Sequence, residues 1–236
     1  SSDLALHHCS RRSAFGKVLN QQPLMQNVLA DLVLEHEGSL ALTMRVARAL
    51  DHRDDSAEDH LVRLLTAVGK YWICKRTPAH AAEAMECIGG SGVMEDSPMP
   101  RLFRESPVNA IWEGSGNIQC LDVLRAMQRT PGVVGAFFDE LGLALGANTA
   151  LDRWVANLHH DLNDLDDIEY RARHLVDQMA LAIQGSLLVR HAPEAVADAF
   201  CASRLDQGGH RQYGSLPRGV DCAAIIERAT PQANSL

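Results

Sequence analysis

A chain of 236 residues that is 46% hydrophobic but only 5% aromatic can fill one large core or two modest ones. Its long Ala/Leu/Val stretches suit packed helices better than a β-sandwich. The net charge of −8 divides into −2 over residues 1–130 (14 Lys/Arg against 16 Asp/Glu) and −6 over residues 131–236 (8 against 14). Neither part carries the basic excess of a strong nucleic-acid binder, and no apolar run reaches the roughly 18 residues of a membrane span.

The opening Ser1-Ser2-Asp3-Leu4 has no basic or apolar leader pattern and reads as the interior of a helix, so the sequence is expected to be part of something longer. Cys9, Cys74, Cys87, Cys120, Cys201 and Cys222 are scattered with no C-x-x-C pair. That spacing predicts reduced thiols in a cytoplasmic protein, with neither a zinc site nor a disulfide framework. The pairs His7-His8 and His159-His160 point to different helix faces and read as surface residues rather than metal ligands.

In chain order, residues 4–10 read as the end of a helix and are followed by the loop Arg11-Arg12-Ser13-Ala14-Phe15-Gly16-Lys17. Pro23 suits the first position of a helix, and Leu24, Val28, Leu29, Leu32, Val33 and Leu40 carry helical spacing through residues 23–50. After a polar turn, a second long helix is predicted over about 58–88. Leu61, Leu64, Leu65, Val68 and Trp72 form its stripe, and Lys70, Lys75 and Arg76 are expected to face solvent or a neighbouring chain. Pro78 is expected to kink this helix or divide it in two.

Gly89-Gly90-Ser91-Gly92 ends that helix. It follows a helix rather than a strand, so it is not a dinucleotide-binding fingerprint. Pro98, Pro100 and Pro107 keep the next stretch in short turns. Ile111-Trp112-Glu113-Gly114-Ser115-Gly116-Asn117-Ile118-Gln119 then sets one carboxylate on a glycine turn that feeds a third helix, 117–129. Taken alone, Gly, Ser and Asn there are an ordinary helix cap, but backbone N–H groups at such a helix start also suit an anion or a polarised carbonyl.

Thr130-Pro131-Gly132 marks a boundary between residues 1–130 and 131–236. Helices follow at about 134–146, 148–160, 165–191, 193–206 and 219–229, with a Gly-rich loop over 208–219. Asp161, Asp164, Asp166, Asp167 and Glu169 read as a solvated helix start rather than a metal cage. No β pattern is visible, and the fold class is all-α.

Three elements occur in order: Arg12-x-x-Phe15-Gly16-Lys17, Gly89-Gly90-x-Gly92, and Ile111-Trp112-Glu113-Gly114-Ser115. Together they resemble the C-terminal four-helix-bundle domain of the acyl-CoA dehydrogenase family over residues 3–129. The following helical segment, with Ala192-Pro193, Phe200-Cys201 and Gly208-Gly209, is similar to the alkylation-response, AidB-like branch of that family.

The resemblance implies FAD as cofactor and an acyl-CoA thioester as substrate. Glu113 would be the catalytic base that takes the α-proton while the flavin accepts the β-hydride; its backbone N–H would help stabilise the enolate oxygen. A carboxylate acts as such a base when burial raises its proton affinity. The resemblance assigns FAD contacts to Arg12, Phe15, Gly89, Gly90, Trp112, Gly114, Ser115 and Asn117, some of them across a subunit interface, and it implies a homodimer or homotetramer. Three departures stand out: Glu86 where a Gln is common, Pro23 for a polar residue, and Cys120 for a basic one. The family's N-terminal helical and middle β domains, which cover the flavin, have no counterpart in these residues, so little turnover is expected from them alone.

That branch also implies contact with duplex DNA. The candidates are Arg125, Arg204, Arg211 and Arg218, with the loop Gly209-His210-Arg211-Gln212-Tyr213. Against this stand the −6 balance of residues 131–236 and the plain alternative of a surface loop. A third reading is an oligomerisation bundle, with apolar stripes on the two long helices facing a partner chain.

Overall fold

A computed structural model describes residues 1–206 and 212–230. The first helix, α1 (Ser2–Cys9), leads into a two-stranded antiparallel hairpin, β1 (Ser13–Ala14) and β2 (Lys17–Val18). This corrects the expectation of no β structure. Phe15 and Gly16 both take left-handed backbone angles (φ 52° and 80°), which closes so short a hairpin at a two-residue turn.

Two long helices follow. In α2 (Pro23–Asp51) the proline stands at the helix start, where its missing N–H costs nothing. The next, α3 (Ser56–Ile88), is capped by Asp55, whose side chain accepts from the Ala57 N–H at 2.8 Å, and carries Glu58 and Asp59 in its first turn. Pro78 lies inside α3 without dividing it. Packing on both faces overrides the loss of one backbone hydrogen bond, and Thr77 Oγ1 donates to the Ile73 carbonyl beside it at 2.7 Å.

Short helices α4 (Gly90–Val93) and α5 (Met99–Glu105) and a 3-10 stretch (Ser106–Ala110) then cross α3 and deliver the chain to α6 (Gly116–Arg129). Beyond the Thr130–Gly132 turn come α7 (Val133–Gly142), α8 (Thr149–Asn163), α9 (Ile168–His191) and α10 (Glu194–Phe200). Instead of one helix to residue 206, α10 passes into a π-helical turn, Cys201–Asp206. The last helix, α11, runs Cys222–Ala229 and starts later than the sequence suggests, at the cap supplied by Asp221.

Two apolar cores result, and each draws on residues from both sides of the turn at 130. One joins Leu42, Leu64, Leu65, Val68 and Val123 to Phe137, Leu151, Leu158 and Ile183. The other joins Leu6, Leu29, Leu34 and Ala84 to Leu188, Phe200 and Ile225. Along α9 nearly every residue from Leu175 to Leu188 is covered, because α2, α3, α6, α8 and α10 surround it. The turn at 130 therefore marks a change of direction rather than a gap in the packing.

Charged side chains join the same two segments. Arg45 on α2 donates to Glu140 on α7 at 2.8 and 2.9 Å and to Glu58 at 2.7 Å, while Arg190 on α9 reaches Glu140 at 2.7 Å. The side chains of Arg45 and Glu140 are each only 5% exposed. Farther along, Asn27 exchanges hydrogen bonds with the backbone of Leu216, and the Gly214 N–H donates to Asp31 at 2.9 Å.

Candidate functional site

The turn from Ile111 to Asn117 is exposed along most of its length, and its backbone is held from two directions. From α3, Lys70 Nζ donates to the carbonyls of Asn109 and Trp112, the latter at 3.1 Å. From α6, Gln119 Nε2 donates to the carbonyls of Glu113 and Gly114 at 2.8 and 3.3 Å. These two residues carry functional positioning that pattern reading missed; Lys70 had been expected to face outward.

Glu113 takes a left-handed backbone angle (φ 55°), rare for a residue with a side chain, and Gly114 follows at φ 101°. The backbone angle favours glycine at 114, and a Cβ there would also stand 2.6 Å from Gln119 Nε2 and displace the amide that holds the turn. Among the described residues, no acceptor meets the backbone N–H groups from Glu113 to Ile118, and the Ser115 hydroxyl does not cap α6. A run of unpaired donors at a helix start is a positive electrostatic surface suited to an anionic group or a carbonyl oxygen. Trp112, 59% exposed, flanks it with Ile111 and Ile118.

Glu113 itself is exposed. The burial that such a base requires is not supplied by these residues. Cys120 lies covered beneath the first turn of α6, where burial pushes its thiol up to about 11; it is a packing residue rather than a nucleophile.

The other candidate contacts lie elsewhere. Arg12 and Phe15 belong to the hairpin after α1, and Cys9 at the end of α1 packs on the Cys87 carbonyl at the end of α3. Gly89 (φ 70°) and Gly90 sit at that same end with nothing within 4 Å of the space a side chain would take. Phe15 is 97% exposed in a left-handed conformation, an arrangement that packing within the chain does not explain. Lys70, which anchors the Glu113 turn, is roughly 28 Å from Gly89 along the axis of α3. The residues therefore fall into two clusters along α3: Gly89 and Gly90 at one end, with Arg12 and Phe15 on the segment that follows α1, whose end packs there, and Trp112, Glu113, Gly114, Ser115 and Asn117 toward the other.

The four arginines proposed for DNA fare differently. Arg204, only 11% exposed, pairs with buried Asp31, lies 3.8 Å from Glu35 and stacks on Phe200, which removes it as a phosphate contact. A buried guanidinium neutralised by a carboxylate loses its pairing if it turns outward, which leaves that carboxylate buried and alone. Arg76, also expected at the surface, is tied to Glu35 at 2.5 and 2.8 Å. Arg125 is exposed and pairs loosely with Asp122 at 3.1 Å; Arg218 is exposed; Arg211 lies outside the described residues. In the acidic run before α9, Arg171 donates to the carbonyls of Asp164 and Asp166 and pairs with Asp164 at 3.3 Å, so the run is a helix start tied down by its own arginine.

Such a bundle, carrying a strained Glu-Gly turn at the head of a helix, defines a class. The family model for the C-terminal domain of acyl-CoA dehydrogenase matches residues 1–128, and the chain belongs to that family. It is 42% identical over 206 residues to the putative acyl-CoA dehydrogenase AidB of Escherichia coli (strain K12), across 87% of this chain and 38% of that protein. Acyl-CoA dehydrogenase family member 11 of Caenorhabditis elegans is 29% identical over 215 residues, 81% of this chain and 35% of that one.

Among solved structures, Caenorhabditis elegans ACDH-11 in complex with C11-CoA superimposes with a TM-score of 0.78 at 28% identity, covering 84% of this chain and 39% of its own. An acyl-CoA dehydrogenase complexed with FAD from Bacillus anthracis shares the fold at 16% identity, with a TM-score of 0.65 over 85% of this chain and 43% of its own. The chain thus spans less than two fifths of the length of the two curated relatives. Likeness to AidB over 206 residues also carries past residue 128, into the helices that the family model leaves out.

Proposed function

We propose that the chain is the C-terminal part of an FAD-dependent, acyl-CoA dehydrogenase-like flavoprotein of AidB type, acting on an acyl thioester with Glu113 as base. The observation that carries this reading is the strained Glu113-Gly114 turn at the start of α6, whose N–H groups have no acceptor among the described residues. Supporting it are the relatives: one named as a putative acyl-CoA dehydrogenase, one captured with C11-CoA and one with FAD.

The residues fit such a cofactor. Gly89 and Gly90 leave open space for close approach, Phe15 offers an exposed aromatic face, Arg12 a cation, and the turn a row of donors. Bound FAD supplies the acceptor for the hydride. Glu113 Oε receives the substrate α-proton, and its backbone N–H donates to the thioester oxygen as negative charge builds there. Because the two clusters stand apart on one chain, each cofactor would draw one cluster from either of two subunits, as a homodimer or homotetramer. In the intact cytoplasmic protein, sequence outside this match would supply the covering walls that give Glu113 its burial.

The test is the visible spectrum of the intact protein never exposed to added flavin, followed by bleaching with an acyl-CoA. Flavin absorbance and bleaching are expected; protein that stays colourless even when FAD is supplied overturns the reading. Glu113→Gln is expected to retain flavin and lose bleaching, and an undiminished rate would remove Glu113 from its role.

A DNA-protective module linked to alkylation, with vestigial or no dehydrogenase activity, is the second reading. It rests on the AidB likeness and on exposed Arg125 and Arg218, and the loss of Arg204 weakens it. A gel shift with duplex DNA at low salt decides it, since phosphate binding is strongest there.

A further inference from the structure

Helix α9, beyond residue 130, packs on α6 and meets the end of the Glu113 turn with an arginine. Arg173, near the start of α9, donates from Nε to Asn117 Oδ1 at 2.9 Å. Its guanidinium also borders Gly116, the first residue of α6: a Cβ there would stand 3.4 Å from Arg173 Nη2 and 3.3 Å from the ring of Tyr71 on α3. The first turn of α6 is thus pressed between α3 and α9. Tyr71 is buried beside Asp177, one turn along α9 from Arg173, and burial pushes that carboxyl above its ordinary value.

Two features argue that this contact is more than helix packing. A cation at a helix N-terminus faces the positive end of the helix dipole, so Arg173 gains nothing from α6 by its charge. Further, an arginine can only donate, and it therefore fixes which way the Asn117 amide points. Oδ1 must turn to Arg173, which leaves both Nδ2 hydrogens as donors at the exposed head of α6.

We propose that Arg173 is a positioning residue that locks Asn117 as a hydrogen-bond donor at the Glu113 turn, toward an acceptor oxygen of the bound flavin cofactor. The segment after residue 130 thereby sets the geometry of a site otherwise built by the bundle. This rests on the reading of the turn as a flavin site, and it assigns a task to a helix that the shorter family domain does not include.

The experiment separates the two claims. In intact protein stripped of flavin, hydrogen exchange is followed for the amides of residues 119–122, the first along α6 whose N–H groups have carbonyl partners, in Arg173→Ala, Asn117→Ala and the double variant. Each single change is expected to speed exchange there by roughly tenfold, the value of one charge-assisted hydrogen bond, with no further gain in the double variant. Unchanged exchange in Arg173→Ala, or an equal rise throughout α6, overturns the positioning role.

The second arm is Asn117→Asp, which keeps the contact with Arg173 but removes the donors. It is expected to leave exchange at 119–122 no faster than in the unaltered protein, since a carboxylate suits both Arg173 and a helix start, while weakening FAD binding by about tenfold and shifting the flavin band. Undiminished FAD affinity in Asn117→Asp overturns the donor role. If the unaltered protein binds no flavin, the reading of the site fails while the exchange results still judge the positioning.

Discussion

The charges around Glu140 and the charge on Glu113 are treated in opposite ways by one molecule. Glu140 is enclosed and met on two sides by Arg45 and Arg190, with Glu58 completing an arrangement that sums to zero. Glu113 stands in the open on a strained backbone, at a helix start whose donors have no partners within the described residues. A buried charge is tolerated only when its partners come with it, and breaking such a set strands the others. An exposed, strained carboxylate persists only because neighbouring side chains over-determine its backbone, here Lys70 and Gln119. The first arrangement joins two segments of chain; the second leaves a carboxylate open to solvent.

The largest effect is expected from breaking the buried side of this contrast. Glu140→Ala leaves Arg45 and Arg190 without their shared acceptor and should cost about 3–5 kcal/mol, read from urea unfolding. Its pH dependence sharpens the point. Burial pushes the Glu140 carboxyl upward, but the hydrogen bonds and charges of Arg45 and Arg190 outweigh this and hold it below its ordinary value of 4.5. The stabilisation is therefore complete above that value and lost as pH falls through the depressed one. Unfolding midpoints of the unaltered protein should drop below that pH, and Glu140→Ala should flatten the drop.

Next comes Gly114→Ala, which forces a side chain into φ 101° and against Gln119 Nε2. A loss of about 2 kcal/mol is expected from the backbone angle and crowding together, with flavin retention falling further than stability does. Gln119→Ala removes two donors from the turn and should cost about 1 kcal/mol in the same unfolding measurement.

Smallest of all is Glu113→Gln. Since the side chain is exposed, unfolding should shift by no more than about 0.5 kcal/mol while acyl-CoA bleaching is lost. A stability change as large as that of Glu140→Ala would erase the contrast between the two carboxylates.

Local signals in the sequence were enough for the helical class and for the Glu-Gly turn. Pro23 at a helix start, Gly89 after α3 and the apolar spacing of the long helices are decided by neighbours a few residues away. The 12–18 hairpin was not legible, because two residues per strand carry no alternation; closure comes from the backbone angles of Phe15 and Gly16. Division of the helix at Pro78 did not follow for the reverse reason, since packing along the whole of α3 outweighs one lost hydrogen bond.

Long charged side chains were the least readable part. Arg204, Arg76 and Lys70 all look like surface cations in the sequence, yet Asp31, Glu35 and the Trp112 carbonyl claim them across wide gaps in the chain. No local pattern can announce such a pairing, because it depends on which helix faces meet.

By itself, then, the sequence determined an all-α class, the start of α2 at Pro23 and the carboxylate turn at 113, each fixed by contacts within a turn or two of backbone. Only the tertiary structure decided that α9 reaches Asn117, that Arg204 is withdrawn from the surface, and that the two clusters stand far apart along α3. Those outcomes follow from helices packing on shared cores, where free energy is gained by surfaces distant in sequence closing on one another.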